Sequence, residues 1–234
     1  MKNTDFLKAA YIANKGIYDN KNIYENTLES LSLAMERGFA IYFHVHCTKD
    51  NILVLYHDHD LTRIMNLKDR IGETTYEELN YICPFHIPTF EEALVHISGN
   101  VPIIIDPRCR NNDFYLEKEL ARALDNYQGL FALVSADKKI IKWFNKNRPN
   151  YIIGETLVKR KSFSKLSFDS LFAYYSIITE FKSVALNDYH PHKIRNLKTN
   201  NLILGYVVDT QEKYLAYKDV CDNIYLDNIS GLEL

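Results

Sequence analysis

The stretch YFHVHCTKDNILVLYHD, residues 42–58, sets two apolar runs around a short polar break and carries three histidines and two tyrosines. The runs Ile41–Cys47 and Ile52–Tyr56 are separated only by Thr48–Asn51. Two parallel strands need a crossover of about a dozen residues or more, so these two must form an antiparallel hairpin. Asp50-Asn51 supplies natural turn chemistry for it. With side chains alternating along a strand, Tyr42, His44 and His46 share one face. Folding about Asp50 brings His57 roughly opposite His44. Three imidazoles and a phenol are therefore expected to converge.

Outside this hairpin the chain alternates short apolar runs with helical patterns. The runs are Tyr11–Ala13, Ile41–Val45, Val101–Ile105, Phe131–Val134, Tyr151–Ile153, Ser183–Leu186, Leu202–Val208 and Asn223–Leu226. Several are continuous, as expected for parallel strands buried on both faces. A helix is predicted over Thr27–Arg37, with Leu28, Leu31 and Met35 on one side and Gly38 as its stop. Thr75…Glu78 and Thr89…Glu92 have capping-box spacing and open two more. Eight β-runs with intervening helices predict an α/β fold, a single (β/α)8 TIM barrel with an antiparallel hairpin excursion after the second strand. A doubly wound open sheet is the alternative. The hairpin histidines lie at the C-terminal end of the second strand, the end where barrels carry chemistry.

Composition narrows the function classes. The chain has 234 residues, 47% hydrophobic and 25% charged, enough for a sizeable core, and one domain over 1–234 is expected. A net charge of −2 gives no reason to expect nucleic acid or an anionic membrane as partner. No apolar run approaches the roughly 20 residues that span a bilayer, so no integral membrane association is expected. MKNTDFLKAAYIANKG at the start has no apolar signal core. Cys47, Cys83, Cys109 and Cys221 lie far apart without CxxC spacing, which fits reduced cytoplasmic thiols.

Several segments together resemble the glycerophosphodiester phosphodiesterase family. YENTLESLSLAMERGF is similar to that family's ENT-helix-G segment, and HVHCTKDNILVLYHDHDLTR to its hairpin, which ends HD-x-x-L-x-R. IPTFEEAL is similar to its IPTLEE stretch, and VPIIIDPR falls where the family has an E-x-K strand. ILGYVVDTQEKYLA and CDNIYLDN resemble its last two strands. The resemblance implies a TIM barrel that cleaves glycerophosphodiesters to glycerol phosphate and an alcohol, with a place in lipid metabolism. It also implies a divalent metal, Mg²⁺ or Ca²⁺.

The resemblance further implies which positions to inspect. Asn14, Lys15 and Gly16 stand at the family's H-R-G, and an amide cannot serve as a general acid or base near neutrality. Tyr42 and His44 stand at an E-x-D that supplies two metal carboxylates, and neither offers the oxygens a hard cation wants. Asp106 stands at the third carboxylate, Arg108 at the family's lysine, and His57 at the second catalytic histidine. Glu25-Asn26 is retained. On this reading His57 is the proton-transfer residue, Lys15, Arg108 and Glu25 serve the phosphate, and Tyr206 walls the substrate pocket. Asp106, with Tyr42 and His44, marks a reduced metal site.

Loss of one acid–base group costs about 10²–10⁴ in rate, so family-type hydrolysis is expected to be weak or lost. A softer transition metal on His44, His46, His57 and Asp106 is one alternative; hydrogen bonding of His44 and His57 across the hairpin is the other. If the barrel is silent, no cofactor is needed, and a phosphorylated small molecule or a protein partner would bind at the old mouth. Among the remaining candidates, His190-Pro191-His192 reads as a loop, and Glu155 either faces the pocket or pairs with one of the loop lysines. Asp209 and Asp227 would be supporting acceptors, and the basic run 157–165 solvated surface. His59, His86, His96 and Trp143 are expected to be structural.

Overall fold

The computed structural model describes residues 2–108, 113–157, 177–227, 229 and 232–234. Cys109 and the basic run from residue 158 lie outside them. The strands are β1 (Ile12–Asn14), β2 (Ala40–Cys47), β3 (Leu53–Leu55), β4 (Ile103–Pro107), β5 (Phe131–Ser135), β6 (Ile153–Leu157), β7 (Phe181–Ala185), β8 (Leu202–Val208) and β9 (Asn223–Leu226). Neighbours run β1-β9-β8-β7-β6-β5-β4-β2, and β1 also pairs with β2. That last pairing, Ile12 to Ala40 and Asn14 to Tyr42, closes a parallel barrel and removes the open-sheet alternative. Among the described strands β3 alone runs antiparallel, against the end of β2.

The helices are α1 (Phe6–Ala9), α2 (Leu28–Glu36), α3 (Thr62–Met65), α4 (Tyr76–Ile82), α5 (Phe90–Ile97), α6 (Tyr115–Leu124), α7 (Lys138–Asn147), α8 (Pro191–Lys198) and α9 (Gln211–Tyr217). The expected capping boxes at Thr75 and Thr89 are formed, and Thr27 makes a third with Ser30. His190-Pro191-His192 is not a loop. His190 precedes α8 and Pro191 opens it, where the missing N–H costs nothing.

Two strand expectations missed their ends for the same reason. Glu155 in β6 and Lys182 in β7 interrupt the apolar pattern, yet they are register partners and pair at 2.6 Å. Glu155 therefore points away from the barrel interior and pairs with a strand lysine rather than a loop lysine, with helix residue Lys138 4.0 Å away. β4 starts two residues late because Pro102 cannot donate to the ladder.

Side-chain alternation divides the core in two. Inside the barrel, Ile12, Ala40, Ile104, Ala132, Val134, Phe181, Leu204 and Tyr225 pack with Phe6 and Leu7 of α1. Outside it, Ile41, Phe43, Val45, Ile103, Ile105 and Leu133 meet the helices through Leu31, Phe90, Leu94, Leu120, Ile141 and Phe144. Trp143 packs edge-on to Phe144, as a helix-layer residue. A third cluster, Val54, Tyr56, Leu61, Ile71, Leu79, Cys83 and Ile87, supports the hairpin excursion.

Candidate active site

Strand register places the hairpin histidines. β2 and β4 run in parallel with His44 opposite Asp106, so both side chains enter the same end of the barrel. Asn14 lies beside Tyr42. Across the hairpin Val45 faces Leu55, and the rings of His44 and His57 meet edge to face with centroids 4.4 Å apart. The expected approach of His57 to His44 is present, as a ring contact.

Tyr42 holds the centre. Its hydroxyl donates to Asp106 Oδ2 at 2.9 Å and lies 3.0 Å from His44 Nε2. A phenol has one proton, so with that proton on the Asp106 bond, His44 Nε2 must carry the hydrogen and donate to Tyr42. Among the described residues, buried His44 Nδ1 has no hydrogen-bond partner. Arg108 Nη2 completes the group with an ion pair to Asp106 at 2.8 Å. His44 is 2% exposed, and burial, with the cations around it, holds its imidazole well below the usual histidine range. It is neutral at pH 7. Burial raises the Tyr42 phenol, reinforced by the Asp106 charge. Burial also raises Asp106, while Arg108 and the Tyr42 hydrogen bond act against it.

A second network surrounds it. The loop after β1 turns sharply, with Lys15 and Gly16 at positive φ, and a Cβ on Gly16 would lie 2.6 Å from the Ser30 carbonyl. Lys15 Nζ reaches Glu25 at 3.0 Å and Asp227 at 3.6 Å. Asn14 donates its amide to Asp227 at 3.0 Å, as does Tyr18 its hydroxyl at 2.5 Å. Glu25 is buried and also accepts from Arg63. Burial opposes its ionisation, but Arg63 and Lys15 prevail and lower it. Arg63 bonds Asp58 through Nε at 2.7 Å, and Asp58 meets His57 Nδ1 at 2.7 Å. Burial of Asp58 is outweighed by His57 and Arg63, which draw it down to about 2. With Asp58 ionised, His57 Nδ1 carries a proton toward it. Its Nε2 is left as the acceptor when the ring is neutral.

The alternative of a transition metal on His44, His46, His57 and Asp106 does not assemble. Among the described residues no three His, Cys, Asp or Glu side chains are placed to hold a metal ion. His46 turns away, meeting the His57 carbonyl at 3.4 Å and the His59 ring at 5.1 Å. Nor does the donor set fit a hard divalent cation, which takes several anionic oxygens. Asp106 is the one carboxylate of the central group, and Tyr42 and a guanidinium already engage it. Like charge and a filled position both oppose a cation there.

The weaker candidates separate cleanly. Asp227 is an acceptor at the mouth, whereas exposed Asp209 pairs with Lys213 at 2.7 Å and takes no such role. Tyr206 packs its ring against Tyr225 inside the barrel, and burial pushes its phenol up to about 12. His86 pairs with Glu92, His96 bonds Ser32 at 2.7 Å, and His190 stacks on His192 in the open. Arg63 and Tyr18 had no assigned role in advance. Arg63 could have been found, since it ends the HD-x-x-L-x-R pattern; Tyr18 carried no signal.

Comparison with known proteins fixes the lineage. The model of the glycerophosphoryl diester phosphodiesterase family matches residues 16–175, more than half of the chain. The chain belongs to that family. A glycerophosphodiester phosphodiesterase of Caldanaerobacter subterraneus is 38% identical over 74 residues, 31% of this chain and 30% of that protein. One from Bacillus altitudinis is 27% identical over 121 residues, 46% and 49%. The chain thus matches less than half the length of these curated relatives. Among solved structures, an Oleispira antarctica phosphodiesterase in complex with the product sn-glycerol-3-phosphate is 18% identical with TM-score 0.77, covering 94% of this chain and 93% of that one. The Thermotoga maritima glycerophosphodiester phosphodiesterase is also 18% identical, with TM-score 0.73 and coverage of 94% and 95%. These likenesses establish the shared barrel.

Proposed function

We propose that this glycerophosphoryl diester phosphodiesterase family member engages a glycerophosphodiester at the C-terminal mouth of its barrel, with family-type metal-dependent hydrolysis weak or lost. The observation that carries this reading is the Tyr42 hydroxyl lying between His44 and Asp106, with Arg108 paired to the same carboxylate. Lineage supports the substrate class, and the phosphodiesterase of Oleispira antarctica supports a phosphorylated small molecule as ligand.

The residual chemistry falls to this chain's own groups. His57, 35% exposed in its side chain and oriented by Asp58, is the proton-transfer residue. Arg108 is the phosphate clamp, and Lys15, held by Glu25 and Asp227, adds positive potential behind it. Tyr206 walls the pocket. Asn14 offers a hydrogen bond but no titratable proton, so leaving-group protonation and nucleophile activation cannot be divided between two histidines. That deficit favours a second reading, a catalytically silent barrel that retains ligand binding. Residues 1–234 act as one domain in either case, and the buried thiols of Cys83 and Cys221 are in keeping with a cytoplasmic setting.

The test is the triple reversion Asn14→His, Tyr42→Glu, His44→Asp. Metal-dependent release of sn-glycerol-3-phosphate by the triple variant, absent from the native protein, is expected. Metal-independent hydrolysis by the native protein that disappears in His57→Ala would instead establish a remodelled enzyme.

A further inference from the structure

A cavity of about 260 Å³ opens between the β2–β3 hairpin and the segment around residues 59–73, with Arg108 in its lining. No role assigned so far uses it. Its size sits just below the ~300–1,000 Å³ of ordinary small-molecule pockets, so it suits a compact polar group rather than an acyl chain. Lys49, Arg70 and Arg108 line it together with His46 and His59. Glu73 is the carboxylate among the lining residues, and Arg70 engages it at 2.9 Å. Arg108 Nε, buried, has no hydrogen-bond partner among the described residues, so that guanidinium keeps a donor in reserve.

We propose that this cavity binds an anionic oxygen group, phosphate or carboxylate, carried on the alcohol side of the diester. The proposal rests on the reading that the mouth takes a glycerophosphodiester. Arg108 then lies between the bridging phosphate and the second anion, and a cleft with three cationic side chains against one carboxylate concentrates negative charge. Quaternary ammonium headgroups are disfavoured. They are recognised by aromatic faces or unengaged carboxylates, whereas the cavity offers two imidazoles and one carboxylate already in an ion pair. His46 is 3% exposed, and burial together with neighbouring His59 holds it down to about 3. It serves as a neutral hydrogen-bonding wall.

Calorimetric titration at low salt and without divalent metal tests this with three probes: sn-glycerol-3-phosphate, glycerophosphocholine, and glycerophosphoinositol 4-phosphate. The native protein should bind the inositol phosphate diester at least about tenfold more tightly than the choline diester, the scale of one charged hydrogen bond. The double variant Lys49→Ala, Arg70→Ala should bring the two within about twofold while leaving sn-glycerol-3-phosphate affinity unchanged. Both side chains lie at the exposed rim, so the fold tolerates their loss. Equal affinity of the native protein for the two diesters, or a preference that survives the double variant, overturns the cavity assignment alone. Failure of every probe to bind overturns the mouth reading along with it.

Discussion

At the residue scale, one phenol changes what the pocket can do. A carboxylate at position 42 would stand beside Asp106 and need a cation between them. A tyrosine instead donates to Asp106, accepts from His44, and requires none. The buried neutral imidazoles of this site give a pH signature. His46 falls from an ordinary 6.5 to about 3 on folding. Between those values the unfolded chain binds a proton that the native state refuses, so stability must fall as pH falls. At pH 4 the loss from His46 alone is about 3 kcal/mol. His44 acts in the same direction. Urea denaturation from pH 7 to 4 should show this decline, and His46→Asn should flatten it. The Asp58 contribution, lowered to about 2, is lost only below its unfolded value of 3.8, while Asp106, raised by burial, acts in the opposite direction to the histidines.

At the element scale, the joint between β1 and α2 sets the mouth's geometry. Gly16 has φ +82, and an added Cβ would strike the Ser30 backbone. Gly38, with φ +66, has nothing within 4 Å. Gly16→Ala should therefore cost more than ~2 kcal/mol in chemical denaturation, against ~1 kcal/mol for Gly38→Ala, where only the left-handed backbone matters. The hairpin, its turn and two capping boxes were legible in the residues because each rests on local chemistry: Asp50-Asn51, Thr75…Glu78, Thr89…Glu92. The ends of β6 and β7 were hidden because Glu155 and Lys182 neutralise one another only across strands. His46 lies apart from Asp106 for a related reason. Alternation fixes the side of a strand but not how far along the barrel a ring sits, and two residues carry it past Asp106 to His59.

At the scale of the whole molecule, the barrel closes through β1, which pairs with β9 on one side and β2 on the other. A ring closed in that way should unfold as a unit. Trp143 fluorescence and far-UV circular dichroism should follow one coincident transition, and two separated transitions would contradict a single domain. Family membership and fold were readable in advance because they rest on many spaced residues; whether the mouth still works depends on a few, and their contacts appear only in three dimensions. On the proposed reading, Tyr42 and Arg108 occupy the place of the family's divalent cation. Release of sn-glycerol-3-phosphate from glycerophosphocholine and glycerophosphoethanolamine by the native protein, with added Mg²⁺ or Ca²⁺ and with chelator, tests this. The expected result is a rate that is low and unchanged by metal. Rapid turnover that rises with Mg²⁺ or Ca²⁺ and vanishes with chelator would contradict it.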